Sequence, residues 1–229
     1  MRALAELPPR SRSIMRPLRR PLRMPRIPAT SGASRRAGVA ALGLGLVAGI
    51  TLVGAPSASG HGYTDTPISR QKLCANRTVS DCGAIQWEPQ SVEGFKGFPA
   101  AGPADGRICS GGLPQFAELD NPRGGAWPTT KVTSGQSYGF RWQFTANHST
   151  TDFKYYVTKD GWTGTKALTR ADLEPQPFLT VAYNGARPAM TTVHQGSMPS
   201  GKSGRHLILA VWTVNDTPMA FYACSDVQF

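Results

Sequence analysis

Histidine, cysteine and acid are scarce in this 229-residue chain, and each shortage excludes something. Only four histidines occur: His61, His148, His194 and His206. No HExxH pair, GxSxG elbow or phosphate-binding P-loop is present, so the common zinc-protease, serine-hydrolase and nucleotide signatures are missing. The four cysteines, Cys74, Cys82, Cys109 and Cys224, show no CxxC spacing, which leaves a metal site made of them as the weaker reading. Acid is nearly absent from residues 1–60, where Glu6 faces ten arginines.

That imbalance changes what the formal charge of +11 means. Residues 1–60 hold ten of the 25 basic residues and one of the 14 acids, so the remaining 15 and 13 leave only +2 for residues 61–229. The basic excess belongs to the front of the chain, and without it the case for nucleic-acid binding falls. The front has the texture of an export leader. Arg35-Arg36 precedes the apolar run "AGVAALGLGLVAGITLVGA", and "PSASG" then offers Ala58 and Gly60 at the −3 and −1 positions of a small-residue cleavage site. The run is also long enough for a membrane anchor, but it is diluted by Gly and Ala. Cleavage after Gly60 is the expectation, giving a secreted protein with no membrane attachment after processing. The paired arginines are compatible with twin-arginine export, behind the general route.

In residues 61–229 the even cysteine count, in an oxidising compartment, favours two disulfides. Cys74–Cys82 would close a local loop, and Cys109–Cys224 would tie an early loop to the last strand. From His61 to about Pro128 the chain is irregular and rich in Gly, Pro and Ser, with one candidate helical turn at 114–120. Beyond Lys131 come β-branched and aromatic runs at 137–146, 152–161, 178–185, 205–214 and 219–229, bounded by turn residues. Phe140, Trp142 and Phe144 alternate with Arg141, Gln143 and Thr145, the period of a half-buried strand. The pattern predicts an all-β sandwich. A large loop and short-helix insertion follows its first strand. Irregular stretches this long inside a domain tend to be functional. No internal repeat or second domain is visible.

His206 opens an apolar strand and His194 lies in "TTVHQG"; structural or surface roles suit both. His148, in "TANHSTT", stands where a strand gives way to a polar loop, a placement that suits a ligand. His61 becomes residue one if the leader is removed. Its α-amino group and its imidazole Nδ1 can then close a chelate ring on one metal ion, and His148 can add a third nitrogen. Three nitrogens in a plane suit copper, which prefers tetragonal geometry and heads the divalent affinity order. A free α-amino group titrates near ~8, so the metal must help to deprotonate it.

The stretches "HGYTDTPISR", "EPQSVEGFKGFPAAGPADG", "TANHSTTDFKYYVTK" and "RHLILAVWTVNDTPMAFYACSDVQF" closely resemble the bacterial lytic polysaccharide monooxygenases of the chitin-binding type, auxiliary activity family ten. The resemblance runs in order through residues 61–229. It implies a fibronectin- or immunoglobulin-like sandwich and a single copper ion held by His61 and His148. It further implies an external reductant, with O2 or H2O2 as co-substrate. Phe221 matches a position beside the metal that offers no donor, and Ala146 matches a small residue crowding the opposite side. Glu93 matches a carboxylate that neighbours the metal, and Trp87 matches the exposed aromatic of a flat substrate face. Glu88, Thr145, Asn147 and Asp216 lie in the same motifs as substrate-side neighbours. The implied partner is crystalline polysaccharide, chitin ahead of cellulose, with oxidation at C1, and the protein is expected to act as a monomer. Cys74–Cys82 fits the family spacing.

Three features depart from the family. Pro218 and Met219 stand where Ala-Asn is common, and Asn147 where Arg is frequent, while the second disulfide varies among members. Read without the resemblance, Phe221 is a core position, Glu93 a solvated acid, and Trp87 an exposed loop indole suited to binding. A non-catalytic chitin-binding or adhesion protein using Trp87 alone is the alternative from a different functional class.

Overall fold

The computed structural model describes residues 60–229; the leader, its paired arginines and Ala58 lie outside the described residues. Strands β1 (His61–Thr66), β4 (Ser137–Ala146) and β7 (Thr191–Ser197) form a three-stranded antiparallel sheet in the order β1-β4-β7. The second sheet runs β2-β9-β8-β5-β6. It is made of β2 (Glu93–Phe95), β5 (Thr150–Val157), β6 (Leu179–Ala182), β8 (Arg205–Val214) and β9 (Met219–Gln228). A two-residue strand, β3 (Thr130–Lys131), joins it by parallel pairing to β9. Between β1 and β2 come helix α1 (Arg70–Ala75) and a 3₁₀ turn at Gly83–Gln86, with another at Pro114–Leu119 after β2. The architecture is thus the expected sandwich, with the expected insertion.

Two apolar clusters explain the layering. Phe140, Trp142 and Phe144 of β4 meet Phe153 and Tyr155 of β5, Trp212 of β8 and Phe221 of β9 between the sheets. On the opposite face of β8 and β9, Leu207, Leu209, Tyr222 and Cys224 pack under the insertion, against Ile85, Ile108, Phe116 and Trp127. Alternate residues of one strand therefore serve different cores. A strand buried on both faces reads as a continuous apolar run rather than an alternation, and "HLILAVW" does so. The irregular segment is a covering layer on the large sheet, not a decoration at its edge.

Both disulfides form. Cys74–Cys82 closes an eight-residue separation within the insertion, and Cys109–Cys224 spans 115 residues to hold the insertion on β9. Loop-closure entropy alone assigns about 2.5 and about 4.8 kcal/mol to separations of that size. Strand β7 was not among the runs read from sequence. Its pattern, with Thr192 and His194 buried between exposed neighbours, rests on only two inward side chains.

His194 and His206 are structural, as expected. His206 is fully buried, with Nδ1 3.1 Å from the Thr158 carbonyl oxygen and Nε2 3.1 Å from that of Ser203. His194 lies 2.6 Å through Nδ1 from the Tyr155 hydroxyl, its ring 4.4 Å from that of Phe153. Burial pushes the His194 imidazole down from 6.5 to about 4. The folded protein therefore favours neutral His194, while the unfolded chain takes up a proton below its ordinary value. Stability should be fully present above pH 6.5 and fall as the pH drops through 4. The loss should total roughly 2–3 kcal/mol after allowing for solvent at the ring edge. Denaturant midpoints measured between these limits should flatten in His194→Gln; an unchanged slope would contradict the assignment.

Candidate functional site

Strand register brings the two histidines at issue together. His61 opens β1 opposite Ala146, the last residue of β4, and the chain then passes through Asn147 to His148 before β5 begins. The pairing slips between His61 and Gly62, an irregularity that re-aims a side chain at a strand end. Gly62 is required there: a Cβ on it would come within 2.6 Å of the Phe144 ring. Gly60 is buried over the aromatic floor, where a Cβ would stand 2.9 Å from Trp212 and 3.1 Å from Phe221.

That floor comes from β8 and β9. Phe221 stacks on Trp212 at 4.7 Å, and its ring meets the His61 ring edge-on at 6.4 Å. Thr150 joins floor to ligand loop: its hydroxyl donates to the His148 carbonyl oxygen (2.8 Å) and accepts from the Trp212 indole N–H (2.7 Å). His148 is itself buried, and its Nδ1 lies 2.9 Å from Oδ1 of exposed Asp216, close but outside hydrogen-bonding geometry. Asp216, expected on the substrate side, thus touches His148 directly.

Glu93 begins β2, directly across from Phe221 in β9. Burial raises its carboxyl above the usual range, while the charges of His61 and His148 pull it back down. A carboxylate that feels both imidazoles shares their site. Among the described residues, no three His, Cys, Asp or Glu side chains gather closely enough to hold a metal ion. A metal between these histidines therefore needs a donor that is not a side chain. A free α-amino group on His61 has that chemistry: it lies on the residue itself and carries a lone pair that an amide nitrogen lacks.

The surroundings form an open face. Trp87 follows the 3₁₀ turn Gly83–Gln86 and is 71% exposed, with the Arg77 guanidinium 5.7 Å from its ring centroid. Its loop is stitched to β1 where the Gly62 N–H donates to the Gln90 carbonyl oxygen (3.0 Å). Glu88 is half-buried in the same loop, and Thr145 is exposed on β4. Asn147 turns its amide to the Pro188 carbonyl oxygen (2.6 Å), so it anchors the loop before β7. Phe95, 67% exposed opposite Met219, adds an apolar patch beside Glu93 that sequence reasoning did not single out. Thr150 was also missed; nothing marks a buried threonine in sequence as the bridge between an indole and a backbone carbonyl.

Residues 61–227 match the model of a family described as lytic polysaccharide mono-oxygenase, cellulose-degrading. An AA10 family lytic polysaccharide monooxygenase C of Mycosarcoma maydis is 50% identical over 173 residues, covering 74% of this chain and 52% of its own. GlcNAc-binding protein A of Shewanella oneidensis is 44% identical over 186 residues, 81% of this chain and 39% of its own. The chain thus spans about half, or less, of the length of these curated relatives. Among solved structures, an AA10 lytic polysaccharide monooxygenase from Streptomyces lividans is 67% identical with a TM-score of 0.72, covering 74% of this chain and all of that one.

Thr150→Val should keep the shape of the site and strand the buried Trp212 N–H without an acceptor, at a cost of about 1–3 kcal/mol. Guanidinium denaturation measures it, and an unchanged midpoint would mean that the bridge carries no weight.

Proposed function

Because this chain belongs to the lytic polysaccharide mono-oxygenase family, we propose that it is a secreted copper enzyme that oxidatively cleaves β-1,4 linkages in crystalline chitin at C1. The observation that carries the reading is the approach of His61 to His148 across the β1–β4 register, with Glu93 beside both. The family uses copper, and one solved member is a complex with Cu(I). The donors fit it: two imidazoles and, once Gly60 is removed, the amine of His61 form the three-nitrogen set that copper favours. What bound copper supplies is one-electron chemistry that activates O2 or H2O2 at the expense of an external reductant.

The protein residues have distinct tasks. His61 and His148 would hold the ion, with the Asp216 carboxylate 2.9 Å from His148 Nδ1 as a charged neighbour. Phe221, whose ring lies against that of His61, would offer the ion no donor, and Ala146, opposite His61 in the strand register, would add little bulk there. Glu93, across from Phe221 and within reach of both imidazoles' charge, would hold or give up a proton there. Trp87 stacks on a pyranose ring and thereby positions the chain on a flat face without a cleft. Hydroxylation at C1 lets the glycosidic bond eliminate, freeing the neighbouring sugar's 4-hydroxyl and leaving a lactone that water opens to an aldonic acid end. Export and removal of residues 1–60 belong to the same reading, because only cleavage turns the His61 amide into an amine.

Chitin is favoured by Phe221 beside the metal and by the GlcNAc-binding name of the Shewanella relative; the family description favours cellulose as the runner-up. Protein beginning at His61, supplied with copper, ascorbate and chitin or cellulose in separate reactions, should release C1-oxidised oligosaccharides from chitin. Mass spectrometry that finds none from either substrate would overturn the activity, and products from cellulose alone would reverse the preference. The exposure of Trp87 supports a second reading, a purely adhesive chitin binder. One extra residue before His61 should leave chitin adsorption intact and abolish tight copper binding; equal copper affinity with and without it would favour adhesion. Trp87→Ala should weaken chitin adsorption about tenfold, the loss expected for one ring contact of about 1–1.5 kcal/mol.

A further inference from the structure

A cleft of about 350 Å³ opens beside Glu93, and it differs in kind from the open face around Trp87. Phe95, Pro103, Leu113 and Met219 give it an apolar wall, while one acid, Glu93, and one base, Arg107, border it. Other residues hold that wall in shape. Arg170 commits its guanidinium to it, donating to the carbonyl oxygens of Pro99 (2.7 Å), Ala101 (2.8 Å) and Pro103 (2.7 Å) and pairing with Asp105 at 2.8 Å. Gly94 and Gly111, which also line the cleft, approach backbone to backbone, and a Cβ on Gly94 would run into the Gly111 carbonyl oxygen. Arg107 is uncommitted. Its side chain is exposed, and among the described residues its guanidinium has neither an ion pair nor a hydrogen bond.

We propose that this cleft binds the oxidised end of a cut chain, an aldonate whose carboxylate pairs with Arg107. The inference rests on the C1 chemistry of the reading above, which supplies that end. An intact pyranose is flat and stiff, and stacking on an exposed indole suits it. Once water has opened the lactone, the terminal sugar is an acyclic, flexible polyol with a negative charge that the rest of the chain lacks. An open face gives such an end little to hold, whereas a cleft with an apolar wall and an unpaired cation matches it in shape and sign. The carbon chain lies along Phe95, Pro103, Leu113 and Met219, and the guanidinium fork takes the carboxylate through two parallel N–H···O bonds. Charge also sets the direction in which the end lies. Ionised Glu93 repels the carboxylate and Arg107 attracts it, so the end turns away from the site that produced it. Held there, it cannot settle back onto the surface from which it was cut. Because Arg107 is exposed, the pair is screened by salt and its contribution is modest.

Binding of supplied oligosaccharides tests this without copper. Protein beginning at His61, kept metal-free, is titrated calorimetrically with three forms of one chitin-derived tetrasaccharide: the aldonate, the borohydride-reduced alditol and the untreated sugar. Aldonate and alditol share an open-chain end and differ in charge, while the untreated sugar keeps its ring. At low salt the aldonate should bind about fivefold more tightly than the alditol, as one well-formed exposed ion pair provides. The difference should shrink as salt is raised and vanish in Arg107→Gln, which alters an exposed side chain without a partner and keeps the fold. Phe95→Ala should weaken aldonate and alditol alike. Equal affinity of the parent protein for aldonate and alditol, or a preference that survives Arg107→Gln, would overturn the proposal. Because the aldonate is supplied, a preference for it stands whether or not the protein produces one, and a lack of C1-oxidised products would overturn the reading of the activity alone.

Discussion

The structure depends on the burial of β8 and β9 on both faces. Once these two strands are covered from either side, every residue along β9 acquires a neighbour of defined kind. Phe221 turns toward the small sheet and becomes floor to His61, whereas Tyr222 turns toward the insertion and donates its hydroxyl proton to the Phe95 carbonyl oxygen (2.6 Å). Cys224 anchors the disulfide to Cys109. Asp226 takes the guanidinium of Arg70 at 2.7 Å and that of Arg205 at 2.8 Å. One strand thus fixes the floor of the site, the attachment of the insertion and the buried ion cluster. Losing its register by one residue would exchange all of these at once.

The ion cluster shows how the insertion is held without regular structure of its own. Arg70 sits on the short helix α1, donates also to the Leu119 carbonyl oxygen (2.8 Å) and lies 4.8 Å from the Trp127 ring centroid. A buried carboxylate between two arginines offers little net stability over an apolar core, since desolvation offsets the attraction. Removing one partner is costly, however, and only one arrangement satisfies all the groups. Together with the two disulfides this selects a single conformation for about seventy residues that have little hydrogen-bonded ladder. The loop carrying Trp87 and Glu88 inherits that rigidity, which suits the binding role proposed for it, because ordering a loose loop on binding would consume affinity.

A large part of this protein was legible in its sequence. Alternation in 137–146 and the apolar runs at 205–214 and 219–229 announce a sandwich, because period-two patterning follows from strand geometry alone. The junction "SASGHGY" and the histidine of "TANHS" carry the proposed chemistry, because a histidine at a free N-terminus would be a different ligand from one in mid-chain. Less legible were β7, with only two inward side chains, and the coverage of the large sheet by the insertion. Thr150, the contact of Asp216 with His148 and the turn of Asn147 toward Pro188 left no trace at all.

Sequence by itself therefore determined the elements, the family and the candidate ligands, since strand period, cleavage texture and residue type are local properties. The tertiary structure alone decided which residues share a face and in what order they touch. Those relations come from strand register and the packing of two sheets, which join positions as distant as Gly60, Trp212 and Phe221 and depend on no feature that any one of them carries alone.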